Sequence, residues 1–104
     1  MTRARLQDRR PALALDFEHG GQRFRAHIGT YPDGRVAEIF LDAAKGNSAI
    51  DDLASDSAIL ISLLLQHGAT LSEIAHALRR SPSGAPASLI GEAVRQLEAV
   101  EGPR

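Results

Sequence analysis

The sequence predicts an α+β domain: a three-stranded antiparallel meander packed on one face by three helices. Three observations predict it. Three short runs with a period of two and two turn signals fill residues 12–43. From residue 48 the apolar spacing changes to the helical 3.6. All the strands precede all the helices, an order that marks α+β rather than a parallel α/β sheet.

The first run is Leu13-Ala14-Leu15-Asp16-Phe17-Glu18, with Leu13, Leu15 and Phe17 on one side. His19-Gly20-Gly21-Gln22 supplies a hairpin turn, because paired glycines tolerate the positive φ that a two-residue hairpin needs. In the second run Phe24, Ala26 and Ile28 face inward, and Tyr31-Pro32-Asp33-Gly34 turns the chain again. The third run, Val36-Ala37-Glu38-Ile39-Phe40-Leu41, is apolar on both sides. Strict alternation puts Val36 and Phe40 on one face and Ala37, Ile39 and Leu41 on the other. Such a strand reads as central or as lying against a partner.

The longest apolar stretch, Ala58 to Leu65, lies inside a helical pattern over 48–67. Ile50, Leu53, Leu60, Ile61 and Leu64 share one helical face, and from Ala58 onward the other faces are apolar too. A helix apolar all round is expected to be buried all round. The pattern therefore predicts a central helix whose second half is fully enclosed. Ser48 is an N-cap candidate, and Gly68 suits the helix C-terminus. Thr70-Leu71-Ser72-Glu73 is a capping box that opens a second helix over 71–80. After the Ser/Pro/Gly loop 81–86, a third helix over 87–100 carries Ile90, Ala93, Val94, Leu97 and Val100. Gly91 inside it marks a close approach to another backbone.

The 104 residues make one domain, 12–101, after a basic tail, 1–11, that reads as disordered. No cysteine is present, so thiol chemistry and disulfides are excluded, and a reducing, cytoplasmic setting is the expectation. The apolar core of the long helix is too short to span a membrane, which takes about 20 residues. A net charge of −1 gives the domain no general attraction for nucleic acid.

No constellation specifies a reaction. The histidines His19, His27, His67 and His76 form no i, i+3 or i+4 pair, so no metal site is written locally and no cofactor is expected. No serine sits in a nucleophile-elbow pattern, and no catalytic residue can be named. Three binding features remain. Lys45, Gly46, Asn47 and Ser48 precede a helix and form a candidate anion site, opposed by Asp51 and Asp52. Arg23, Arg25 and Arg35 form a candidate basic patch on the sheet. Val36, Ile39 and Leu41 mark a candidate dimer edge, since a three-stranded sheet leaves strand edges unpaired. An alternative reading is a nucleic-acid or nucleotide module, built on that basic sheet face or on a helix-turn-helix over the last two helices. The 79–86 connection is long for that motif, and the last helix carries Glu92, Glu98 and Glu101 against Arg95.

Ala37-Glu38-Ile39-Phe40-Leu41, Lys45-Gly46-Asn47-Ser48, Ile61-Ser62-Leu63-Leu64-Leu65-Gln66-His67-Gly68, Ile74 and Leu78 together resemble the TSCPD domain. That domain forms the C-terminal part of adenosylcobalamin-dependent ribonucleotide reductases, enzymes of DNA synthesis, and also occurs in small free-standing bacterial proteins. The family's namesake Thr-Ser-Cys-Pro-Asp run has its nearest counterpart here in Ser81-Pro82-Ser83, without the cysteine. The resemblance implies an accessory, non-catalytic domain. Its partner would be a protein, either a reductase or a second copy in a homodimer.

Overall fold

The computed structural model describes residues 12–43 and 48–102. The expected basic tail lies outside them. Strands β1 (Ala12–His19), β2 (Gln22–Thr30) and β3 (Val36–Ala43) form an antiparallel sheet in the order β1-β2-β3. Helices α1 (Ser48–Gln66), α2 (Leu71–Ala77) and α3 (Leu89–Glu101) follow. At the first hairpin Gly20 and Gly21 both take positive φ, 60° and 76°, which matches the right-handed twist of the strands they join.

The inner sheet face carries Phe17, Phe24, Ala26, Ile28, Ile39 and Leu41, all buried, with the Phe17 and Phe24 rings stacked at 5.5 Å. In β3 simple alternation fails, because Gly29 pairs with Glu38 but Thr30 with Val36. Ala37 is therefore an extra residue, a β-bulge that turns Val36 to the core together with Ile39 and Leu41. Of the strand's large apolar residues Phe40 alone is left on the outer face, half-exposed beside Glu38 and Asp42. The two-sided look of this strand comes from the bulge, not from a central position.

Helix α1 packs along β3. Its buried face is Ala54, Ala58, Ile61, Ser62, Leu65 and Gln66. The expectation of an enclosed second half is wrong, and so is the expected face: Leu53, Ile59, Leu60, Leu63 and Leu64 are exposed. The physical reason is the edge position of β3. A helix lying along the last strand of a small sheet is covered on one side only.

The capping box forms as predicted, with Thr70 Oγ1 accepting from Glu73 N and Glu73 accepting from Thr70 N, each at 3.0 Å. Helix α2 ends three residues earlier than the pattern predicts. Leu78 takes an extended backbone, and Arg80 enters a β-bridge with Pro86. Ser88 caps α3, its hydroxyl accepting from Gly91 N at 3.1 Å. A Cβ on Gly91 would stand 3.1 Å from the Pro86 side chain, so the expected close approach is to the returning loop.

Candidate protein-contact face

Small residues at Ala54 and Ala58, one turn apart on α1, let the helix approach β3 closely. The next position in that row is Ser62. Its hydroxyl accepts from Ile39 N at 2.9 Å and lies 3.1 Å from Ile39 O and 2.9 Å from Ala58 O, both acceptors. One turn further, Gln66 Nε2 donates to Ala37 O at 3.0 Å. At the other end Asp51 Oδ1 accepts from Ala43 N at 3.1 Å. The match is metric: one helical turn of four residues advances about 6 Å, and two strand residues about 6.7 Å. Three polar side chains of α1 thus satisfy backbone groups that the free edge of β3 would otherwise present to a neighbouring strand.

This arrangement occupies the candidate dimer edge from within the chain. Val36, Ile39 and Leu41 are buried in the chain's own core, and the backbone beside them is bonded to Ser62 and Gln66. A second copy adding to β3 would have to break those bonds. The signal for this role was present in the sequence: Ser62 and Gln66 stand at i and i+4 inside an otherwise apolar run.

The opposite side of α1 is open. Leu53 and Leu60 are 61% and 62% exposed, and Ile59, Leu63 and Leu64 lie between 37% and 50%. At about 100° per residue, Leu53, Leu60 and Leu64 fall within about 40° of each other, and Leu63 and Ile59 extend the arc to about 140°. Asp52 and Asp56 lie within the N-terminal half of the same arc, Asp56 between Leu53 and Leu60, so the uncharged part of this face is Ala58–Leu65. Two-sided apolarity in α1 therefore means one core face and one free face.

Of the candidate basic patch, Arg23 and Arg25 stand two residues apart on one face of β2, and Arg35 lies away from them. Arg25 is paired with Asp16 by two hydrogen bonds, at 2.8 and 3.2 Å, and Arg23 stands opposite Glu18 in the β1–β2 register. Hydrogen bonding to Arg25 holds the Asp16 carboxyl below the usual carboxylate range. Arg35 sits beyond the far end of β2, bonded to Asp33 at 2.7 Å and stacked over the Tyr31 ring. His27 is solvent-facing, 3.2 Å from Asp42. The outer sheet face carries charges of both signs. The candidate anion site cannot be placed, because Lys45, Gly46, Asn47 and the Ser48 side chain lie outside the described residues. Helix α3 buries Gly91, Glu92, Ala93, Val94 and Leu97, and its exposed charged side chains are Arg95 and Glu98, which together give no basic reading face. Among the described residues no group of His, Asp or Glu is arranged to hold a metal ion, and no helix is long and apolar enough to cross a membrane.

Among the described residues Glu92 is the one nearly buried carboxylate. Burial opposes its charge, but hydrogen bonds from Arg95 at 2.6 Å and Gln96 at 2.7 Å outweigh that and lower its pKa. A carboxylate depressed in the folded state adds stability above its ordinary pKa, here 4.5, and loses it as pH falls through the folded value. Chemical unfolding of the wild type and Glu92→Gln should therefore show a stability gap near pH 7 that closes below pH 4.5. A gap independent of pH would contradict the ionic role.

The TSCPD domain model matches residues 3–100. The chain is 35% identical over 85 residues to a vitamin B12-dependent ribonucleotide reductase of Bradyrhizobium diazoefficiens, which covers 79% of this chain and 7% of the relative. It is 36% identical over 75 residues to the protein of that name from Agrobacterium fabrum, covering 72% of this chain and 6% of the relative. A third, from Rhodopirellula baltica, is 35% identical over 72 residues, covering 69% and 7%. The chain thus spans less than a tenth of the length of these relatives. No solved structure matches. A family match across nearly the whole chain, a sheet-then-helix order and three relatives of one description lead to one assignment: the chain belongs to the TSCPD domain family.

Proposed function

We infer that this chain is a non-catalytic accessory domain that works by protein contact, with the open face of α1 as its contact surface. The observation that carries this reading is the exposed arc Leu53, Ile59, Leu60, Leu63 and Leu64. An apolar patch near the upper end of what a free monomer exposes often marks a contact with a partner. The relatives supply the context: each is a vitamin B12-dependent ribonucleotide reductase of which this chain matches a small part. A reductase of that class is accordingly the protein partner to test. Nucleotide reduction itself would belong to the partner, since thiol chemistry is unavailable to a chain without cysteine.

The test is a binding titration of the purified chain against the vitamin B12-dependent reductase of the same organism. We expect saturable binding that Leu60→Asp weakens by at least about tenfold, corresponding to about 1.4 kcal/mol. Binding that is unaffected by Leu60→Asp would remove α1 from the contact. Absence of any association, with the reductase or with itself, would overturn the reading.

A further inference from the structure

We propose that in the free chain the open face of α1 is covered by the same face of a second copy, the two α1 helices lying antiparallel about a twofold axis near Leu60. This rests on the reading of α1 as a contact face and names its occupant.

Area is the first argument. With about 200 Å² for a whole leucine or isoleucine side chain, the five residues of the arc expose about 500 Å² together, at the top of the range for the largest patch on a free monomer. Homodimer interfaces are about 65% apolar, so this patch corresponds to an interface of about 770 Å² per copy. A standard stable interface takes about 800 Å² from each partner. A second copy would therefore bury the arc without recruiting another apolar patch, whereas this area is modest beside the large surface that a reductase could offer.

Shape and charge fix the orientation. Leu60 is the most exposed of the five and lies near the middle of the arc, so a twofold axis there pairs the patch with itself. Every charge within α1, Asp51, Asp52 and Asp56, lies in its N-terminal half. A parallel pair would set Asp52 and Asp56 opposite their own copies. An antiparallel pair separates the carboxylates of the two copies, each Asp56 facing the uncharged C-terminal half of the other α1 and not a second carboxylate. The β3 edge stays bonded to α1 within each copy, so the sheets do not merge.

Sedimentation equilibrium of the whole chain tests the proposal. The wild type should sediment at twice its 11.1 kDa mass, and Leu60→Asp as a folded monomer by circular dichroism. Phe40→Asp, which changes an exposed apolar side chain on the outer sheet face, should leave the dimer intact. Because the chain has no cysteine, Asp52→Cys gives a single nitroxide site. Pulsed electron paramagnetic resonance should then find the two labels more than about 20 Å apart, since eight residues on each side of the axis span about 24 Å. A label distance near 10 Å, the spacing of packed parallel helices, would overturn the antiparallel pairing. A monomer up to about 100 µM would overturn the dimer, because a standard interface associates well below that concentration. If that monomer still binds the reductase through Leu60, only the occupant is wrong and the contact face stands.

Discussion

Leu65→Asp should unfold the chain or cost at least about 3–5 kcal/mol, whereas Leu64→Asp, its immediate neighbour, should change monomer stability by no more than about 0.5 kcal/mol. Leu65 is 8% exposed and belongs to the core, while Leu64 is 48% exposed on the open face. A carboxylate at position 65 would be buried without a partner; at position 64 it would stay in water. Urea unfolding at low protein concentration, followed by far-ultraviolet circular dichroism, measures both. Equal losses at the two positions would mean that α1 is covered on both sides within one chain.

Ser62→Val should cost about 2–4 kcal/mol despite its similar shape. The hydroxyl serves both the N–H and the C=O of Ile39 in a buried site, and each orphaned group costs about 1–3 kcal/mol. Amide hydrogen exchange at Ile39 should accelerate along with the loss of stability. A variant as stable as the wild type, with Ile39 still protected, would show that another donor and acceptor hold the edge. The same loss should not appear for Ser57→Val, since Ser57 is only half-buried and on another side of the helix.

The α+β class and the strand order were legible because each rested on a local rule. The first two period-two runs, the Gly20-Gly21 turn and the Thr70–Glu73 capping box all act between near neighbours, and all appear where their residues predict them. The bulge at Ala37 was not legible. It depends on how Thr30 and Val36 pair across the strands, which the third run alone does not state. The end of α2 was misread for a similar reason, since Leu78 leaves the helix so that Arg80 can meet Pro86.

The face of α1 was the most instructive error. Periodicity located an apolar arc correctly, but with apolar residues on both sides it could not say which arc met the sheet. The deciding residues were the small and polar ones. Ala54, Ala58, Ser62 and Gln66 let the helix come close and bond the strand edge, and the bulky leucines point away. The candidate basic patch looked stronger in sequence than in space because a list of arginines omits the carboxylates bonded to two of them, Asp16 to Arg25 across a strand pair and Asp33 to Arg35 within a turn.

The most direct test of the contact face is sedimentation of the wild type and Leu60→Asp, each alone and each mixed with the vitamin B12-dependent reductase. The account predicts that the wild type is heavier than its 11.1 kDa monomer in both samples, as a dimer alone or on the reductase, and that the folded variant is a monomer in both. A wild type that remains an 11.1 kDa monomer in both samples would contradict it.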